Sequence, residues 1–138
     1  MKDISIKDFQ IGNDQDLTLM GGMNVLESEE TALLVAEKFK EVTDKLKINW
    51  IFKASFDKAN RSSIESFRGP GMDEGLKILE KVSSAFDVPI ITDIHEPSQA
   101  NPVSEVCEVI QIPAFLCRQT DLVLAAAKSN SAIQFKKP

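Results

Sequence analysis

The chain has few cysteines, no long apolar run and no excess of positive charge, and each shortage argues against a class of protein. Its two cysteines, Cys107 and Cys117, are too few for a disulfide scaffold and lack a metal-binding spacing, as is typical of a reducing compartment. Its apolar runs are only a few residues long, whereas a membrane span needs about 20. A net charge of -5 argues against nucleic-acid binding. Because the first residues also lack a secretory signal, we expect a cytoplasmic protein that binds neither membrane nor nucleic acid.

Nucleotide-binding and metal-binding motifs are missing as well. Gly21 and Gly22 lack the spacing of a dinucleotide or P-loop motif, so we expect them to form a tight turn after a strand. His95 is the only histidine, and one histidine beside Asp93 and Glu96 is weak support for a metal site or for acid–base chemistry. The residues favour a structural role for His95, whereas Asp93, at the end of an apolar run, is the better functional candidate.

Short strand-like runs alternate with helical stretches. The strand-like runs lie at residues 17–20, 50–52, 90–92, 109–112 and 132–135. The helical stretches lie at residues 29–46, at 73–86, shortly after 97 and at about 120–128. In the first helix, Ser28 is the expected cap, and Val35, Phe39, Val42 and Leu46 recur at helical spacing. This alternation predicts an α/β fold with a parallel sheet, because parallel neighbours need a crossover connection. No linker interrupts the chain, so we expect residues 1–138 to form a single domain.

Ligands of parallel α/β folds bind beyond the carboxyl ends of the strands, and all five predicted strands are followed by polar groups that bind anions or move protons. In chain order these are Asn24, Lys53 with Ser55, Asp93, Gln111 with Ala114, and Lys136. The stretch of residues 56–71 is a long loop rich in Ser, Arg and Gly, and such loops in compact domains are usually functional.

Two groups of residues suggest an anion site. Lys53 follows an apolar triplet, so its ammonium should be partly desolvated and should either change its pKa or hold an anion. The alternative is a surface lysine whose charge reaches solvent. Lys58, Arg61, Ser62 and Ser63 supply the donors that a phosphate monoester needs, although a solvated basic loop has the same composition.

The block from Phe52 to Ser63, followed by Phe67 to Gly71, closely resembles the 3-deoxy-manno-octulosonate 8-phosphate synthases. The resemblance continues through residues 21–28, 92–99, 111–116, 118–123 and 136–138. It is loose only over the first dozen residues, where that family has a short hairpin. The related synthases of a seven-carbon sugar acid have a Lys-Pro-Arg-Thr-Ser block in place of residues 53–58.

The resemblance implies a (β/α)8 TIM barrel, of which this chain covers the N-terminal hairpin, the first four β/α units and strand 5. It also implies a reaction: the condensation of phosphoenolpyruvate with D-arabinose 5-phosphate, which releases inorganic phosphate and serves lipopolysaccharide biosynthesis. By resemblance, the phosphoenolpyruvate would be held by Lys58, Lys136 and the backbone amide of Ala114, with Asn60 and Gln111 orienting the substrates.

The same resemblance assigns the pentose phosphate to Arg61 and Ser62, reached across a subunit boundary, which implies a homotetramer. Lys53 would lie between the two substrates, Asp93 would face the reacting carbons, and Ser55 would belong to the substrate-binding set.

Asn24 completes the predicted catalytic set. Metal-dependent members of the family have a cysteine at this position, whose thiolate is a good ligand for a transition metal. Asparagine is a poor ligand, so the resemblance implies a metal-independent protein without a cofactor.

A complete barrel typically needs about 250 residues, and this chain stops at the fifth strand. Half a barrel also exposes an unpaired strand edge. The chain could be one piece of a longer or split protein, a truncated product, or a half barrel that associates with another chain. Two functions follow as alternatives: an enzyme once the other half is present, or a catalytically inactive phosphate-binding or assembly module.

Overall fold

The computed structural model describes residues 3–137. In it, runs rich in β-branched and aromatic residues form strands, and stretches with helical spacing form helices. The strands are β1 (Ile4–Ile6), β2 (Phe9–Ile11), β3 (Thr18–Gly22), β4 (Asn49–Lys53), β5 (Ile90–Asp93), β6 (Val109–Ile112) and β7 (Ala132–Phe135). The helices are α1 (Glu29–Leu46), α2 (Met72–Phe86), α3 (Ala100–Ser104) and α4 (Thr120–Ala127), with short 3-10 turns at Pro97–Gln99 and Ala114–Leu116.

The five strands β3 to β7 form one parallel sheet in sequential order, and β1 and β2 form a separate antiparallel hairpin. Doubly wound sheets reverse their strand order, whereas the strands of a β/α barrel follow one another around the axis. The fold prediction is therefore confirmed: the chain contains the N-terminal hairpin, four β/α units and the fifth strand of a TIM barrel. Within the part of the chain that the structure describes, no helix is both long and apolar enough to cross a membrane.

The sheet buries a different apolar set on each face, because successive side chains of a strand point in opposite directions. Trp50 and Phe52 of β4 pack with Leu79 of α2 in the core between sheet and helices. Ile51, on the other face of the same strand, packs with a smaller cluster that includes Ile6 of the hairpin. The second face is the one that turns towards the inside of a barrel, and the hairpin covers its lower part.

Helix α1 begins as predicted, but only part of the predicted apolar face packs against the core. The hydroxyl of Ser28 accepts the backbone N–H of Thr31 at 3.1 Å, which confirms the cap. The fully buried side chains of α1 include the small residues Ala32 and Ala36. Val42 and Leu46, part of the predicted apolar stripe, are more than half exposed. Val35 and Phe39 of the same stripe do pack against the core, so the small side chains move only the C-terminal part of the predicted face out of contact.

Gly21 and Gly22 do not form a turn, as was predicted, because both lie within strand β3. Gly21 is covered by the ring of Phe39, and a Cβ on Gly22 would lie 2.4 Å from the carbonyl oxygen of Lys53. The glycines therefore permit close approach between elements. At Gly22 the neighbour is backbone of the adjacent strand, which has little freedom to move.

A Gly22→Ala substitution should lower the free energy of unfolding by about 1–3 kcal/mol, because relieving the clash must displace backbone in β3 or β4. Urea unfolding followed by circular dichroism measures it. The matched control is Gly12→Ala, whose new Cβ would meet only the side chains of Asp3 and Gln15, which can move aside. Equal stability of the two variants would contradict the close approach of β3 to β4.

Candidate functional site

The strand register brings the predicted site residues to one edge of the sheet. Lys53 of β4 pairs with Ile91 of β5, and Asp93 pairs with Gln111 of β6. The pairing continues beyond β7, where the N–H of Lys136 donates to the carbonyl of Ile112 at 3.0 Å. Parallel strands end on the same side, so polar residues far apart in sequence become neighbours at the carboxyl edge.

An open cleft of about 550 Å³ lies at this edge. Most of the predicted site residues line it, namely Asn24, Lys58, Asn60, Arg61, Asp93, Gln111, Ala114 and Lys136. His95, Ala59, Pro113, Phe115 and Leu116 complete the lining. The lining thus brings together residues from the ends of four strands (β3, β5, β6 and β7) and from the long loop after β4.

Three predicted residues lie outside the lining. Lys53 and Ser55 lie beneath the cleft floor, where both contact Asp93. The Ser55 side chain is completely buried beside Asp93, and its place among the substrate-binding residues stays a prediction. Ser62 is exposed on the long loop and outside the cleft lining. A role for Ser62 within the same chain would need the loop to move, whereas a role in a neighbouring subunit would not.

The floor of the cleft holds a buried ion pair. The Lys53 ammonium lies 3.1 Å from Asp93 Oδ1 and 2.9 Å from the Ser55 hydroxyl, and that hydroxyl also contacts Asp93 Oδ1. Only 18% of the Lys53 side chain and 8% of the Asp93 side chain are exposed. Lys53 is therefore a mostly buried cation paired with a carboxylate, and the alternative of a solvated surface lysine does not describe it.

His95 lines the cleft, although the residues around it in sequence favoured a structural role. Its Nε2 lies 3.1 Å from Asp93 Oδ2, its ring contacts Phe56 edge-on, and its buried Nδ1 has no hydrogen-bond partner among the described residues. The strand periodicity would have found it. Ile91, Asp93 and His95 are each two residues apart, so they share the face that turns towards the barrel interior.

The electrostatics of the floor keep Asp93 ionised. Burial alone would raise the pKa of Asp93, but the hydrogen bond with His95, the charge of Lys53 and the hydrogen bond from Ser55 together lower it well below its ordinary value. Asp93 therefore acts as a fixed negative charge and hydrogen-bond acceptor at the floor of an otherwise cationic cleft.

Positive charges converge on Lys58 at the wall of the cleft. Burial lowers the pKa of Lys58, and the charges of Lys53, Lys136 and Arg61 lower it further, while Asp93 raises it. Like charges held this close repel one another, and an anion between them would remove that repulsion. The cleft is therefore complementary in charge to an anionic ligand.

The loop between β4 and α2, residues 54–71, is closed at its base by a set of hydrogen bonds. The Arg68 guanidinium binds both carboxylate oxygens of Asp57 at 2.8 and 2.5 Å, and the N–H of Lys58 donates to the Arg68 carbonyl at 2.6 Å. Arg61 donates to the carbonyl of Phe67 at 2.9 Å. These contacts hold Lys58 and Arg61 over the cleft although they lie in a loop.

Cysteine chemistry and metal ligation have little support in the described residues. Cys107 is buried, which raises its pKa, and Cys117 is half-buried; neither forms a disulfide. Residues 3–137 contain no group of three or more His, Cys, Asp or Glu side chains placed to hold a metal ion. Asn24, the position where metal-dependent members of the resembled family have cysteine, is exposed in the cleft lining.

The parallel sheet with sequential strand order defines a β/α-barrel protein. Its carboxyl edge carries cationic and hydrogen-bonding groups, so its cleft suits an anion. The chain belongs to the DAHP synthetase I family, whose model matches residues 2–138. It is 61% identical over 138 residues to the 2-dehydro-3-deoxyphosphooctonate aldolase of Colwellia psychrerythraea and 60% identical over 136 residues to that of Pseudomonas aeruginosa. The one of Shewanella amazonensis is 59% identical over 138 residues.

2-Dehydro-3-deoxyphosphooctonate aldolase is another name for 3-deoxy-manno-octulosonate 8-phosphate synthase, so these comparisons confirm the resemblance to that family. They cover 99 to 100% of this chain but only 48 to 49% of each relative. The chain therefore spans about half the length of the curated relatives it matches, and it corresponds to their N-terminal half.

Proposed function

We propose that this chain, once completed by the other half of a barrel, condenses phosphoenolpyruvate with D-arabinose 5-phosphate to give 3-deoxy-D-manno-octulosonate 8-phosphate and inorganic phosphate. The supporting observation is the convergence of Lys53, Lys58, Arg61 and Lys136 around the cleft, because both substrates are phosphorylated anions. On this proposal, residues 1–138 are the N-terminal part of one synthase domain.

Phosphoenolpyruvate would be held by Lys58 and Lys136, both of which line the cleft and supply positive charge. Ala114 begins a 3-10 turn, where the first N–H groups have no partner within the helix and are free to donate to phosphate. Asn60 and Gln111, which also line the cleft, would orient the enol and the aldehyde through hydrogen bonds.

In this reaction, the enol carbon of phosphoenolpyruvate attacks the aldehyde carbon of the pentose and forms the new carbon–carbon bond. Water adds to the cationic carbon that is left, and the resulting hemiketal phosphate expels inorganic phosphate and becomes a ketone. Lys53, part of whose side chain is exposed, would donate to the aldehyde oxygen as that oxygen becomes negative. Asp93, ionised at the floor, would stabilise the positive charge that develops on the former enol.

Several finer features of this function are also proposals. Arg61 and the exposed Ser62 would bind the pentose phosphate of a neighbouring subunit in a homotetramer. With asparagine at position 24 the reaction would run without a metal or other cofactor. The enzyme would act in the cytoplasm, in lipopolysaccharide biosynthesis.

The second candidate is a catalytically inactive half barrel that binds phosphate or assembles with another chain. The observation that favours it is the open sheet: β3 and β7 each have a parallel partner on one side only, within the described residues. A phosphate-release assay with both substrates separates the candidates. It is run on the chain alone and on the chain mixed with the C-terminal half of the Colwellia psychrerythraea relative.

We expect phosphate release only when both halves and both substrates are present, and we expect EDTA to leave it unchanged. Release that EDTA abolishes would contradict the metal-independent assignment. A stable complex of the two halves that binds phosphoenolpyruvate but releases no phosphate would favour the inactive module.

A further inference from the structure

Strand β3 has an open edge whose backbone groups are not used within the described residues, where it pairs only with β4. The N–H of Met23 donates to the Lys53 carbonyl at 2.7 Å, so the backbone groups of Gly22 and Met20 face the other way. At the start of the strand, the Thr18 hydroxyl oxygen is buried and has no hydrogen-bond partner in this part of the chain. A row of unpaired backbone groups is a template for pairing with another strand.

An apolar flank of helix α1 lies beside this edge. Phe39 of α1 covers Gly21 of β3, which fixes the side of the helix that is turned towards the strand. Val42 and Leu46 follow Phe39 by three and seven residues, so they lie on the same side of the helix, one and two turns further along. Both side chains are more than half exposed. We call Val42 and Leu46 the α1 flank.

The open edge and the α1 flank form one continuous surface. Helix α2 lies on the other side of α1, where Lys81 binds Glu29 at 2.6 Å, so α2 does not cover the flank. Leu19 of β3 pairs with Trp50, whose side chain packs between sheet and helices, so Leu19 also points to the side of the helices. Leu19 is exposed as well. The surface therefore offers hydrogen bonds to a strand and apolar contact to a helix.

The occupant that fits this surface is the other half of a barrel. In a β/α barrel the strands close into a ring, so the last strand pairs with the first and its helix packs beside the first helix. The chain matches only 48 to 49% of the length of its relatives, and the remainder is long enough for those elements. A second copy fits less well. It would bring β7 to the open edge, but no helix follows β7 within the described residues, so the α1 flank would stay exposed.

We propose that the β3 edge and the α1 flank are the docking surface for the strand and the amphipathic helix that end the C-terminal half of the barrel. The partner's strand pairs with β3, and the apolar side of its helix packs on Val42 and Leu46. The proposal names the partner that the proposed function requires, and it rests on that function only for the activity of the complex.

The test compares Leu46→Lys with Leu34→Lys. Both leucines belong to α1 and are similarly exposed, at 60% and 57%, and both changes add the same charge. Leu34 lies twelve residues earlier, about a third of a turn around the helix from Leu46, and so outside the α1 flank. The tagged chain is co-expressed with the C-terminal half of the Colwellia psychrerythraea relative, and the amount of that half that purifies with it is measured. Circular dichroism of each chain alone records its helix content.

Wild type and Leu34→Lys should retain equal amounts of the C-terminal half, whereas Leu46→Lys should retain less by about tenfold or more, because docking would bury the new charge. The helix content of Leu46→Lys should not change, since this side chain is mostly exposed in the chain alone. Val42→Lys, one turn away, should show the same loss, so the result does not depend on the folding of one variant.

Equal retention by all the variants, or no retention by the wild type, would overturn the proposal. A wild-type chain that sediments as a dimer, and becomes a monomer with Leu46→Lys, would also overturn it, because the flank would then bind a second copy. If the two halves purify together but release no phosphate with both substrates, the proposed function fails while the docking surface stands.

Discussion

A Lys53→Met substitution should lower the free energy of unfolding by about 3–5 kcal/mol, because it leaves the Asp93 carboxylate buried without its counter-ion. The methionine keeps most of the aliphatic volume, so the loss reports on charge rather than on packing. Urea unfolding can be followed by the fluorescence of Trp50, the only tryptophan, which is 5% exposed in the core beside β3.

The matched control for this substitution is Lys77→Met. Lys77 forms an exposed pair with Glu74 at 3.7 Å, and removal of such a pair should cost less than about 1 kcal/mol. A double variant, Lys53→Met with Asp93→Asn, should recover part of the loss because neither charge is then left unpaired. A loss no greater than that of Lys77→Met would show that Lys53 and Asp93 are not a buried pair.

The buried pair of Lys53 and Asp93 can be tested independently through the pH dependence of the free energy of unfolding. The pKa of Asp93 is lowered in the folded chain, so its stabilising contribution is complete above the ordinary aspartate pKa and is lost as the pH falls towards the lower, folded value. Removing Lys53 removes one cause of that lowering. The acid-induced loss of stability in Lys53→Met should therefore be smaller than in wild type and should end at a higher pH.

The sequence predicted most of the strands, helices and strand-end residues because the two periodicities are strong and the family blocks are long. It did not favour His95, since a lone histidine near carboxylates is common in loops. What decides the matter is the direction of the side chain, which follows from Ile91 and Asp93 on the same face. The two-residue spacing of Ile91, Asp93 and His95 already indicates a shared face. The register of β5 against β6 is needed to show that this face includes the cleft.

Other features could not be predicted because they depend on how elements meet. The apolar spacing located α1 correctly, but the close approach of Ala32 and Ala36 to the sheet determines which face is buried. The positions of Gly21 and Gly22 depend on Phe39 and Lys53 in neighbouring elements, so local turn preferences gave the wrong conformation. Contacts between elements set these details, whereas local sequence sets the elements themselves.

A Lys58→Ala chain should bind phosphoenolpyruvate about 10- to 100-fold more weakly than wild type, the loss expected when one charged hydrogen bond to an anion is removed. Calorimetry on the isolated chain measures this without the rest of the barrel. The control is Lys45→Ala, an exposed lysine in the last turn of α1, for which affinity should change less than about twofold. An equal effect of the two substitutions would show that Lys58 makes no specific contact with the anion and belongs to a solvated basic loop.

The pH dependence of binding distinguishes a specific contact at Lys58 from general attraction by the cationic cleft. Burial and the neighbouring positive charges lower the pKa of Lys58, so it loses its proton at a lower pH than an ordinary lysine does. Phosphoenolpyruvate affinity of the wild-type chain should therefore fall as the pH rises through that lowered value, and Lys58→Ala should show a smaller fall. If both chains lost affinity in parallel across the alkaline range, the anion would be held by the summed charge of the cleft, because the titration of Lys58 itself would then have no effect on binding.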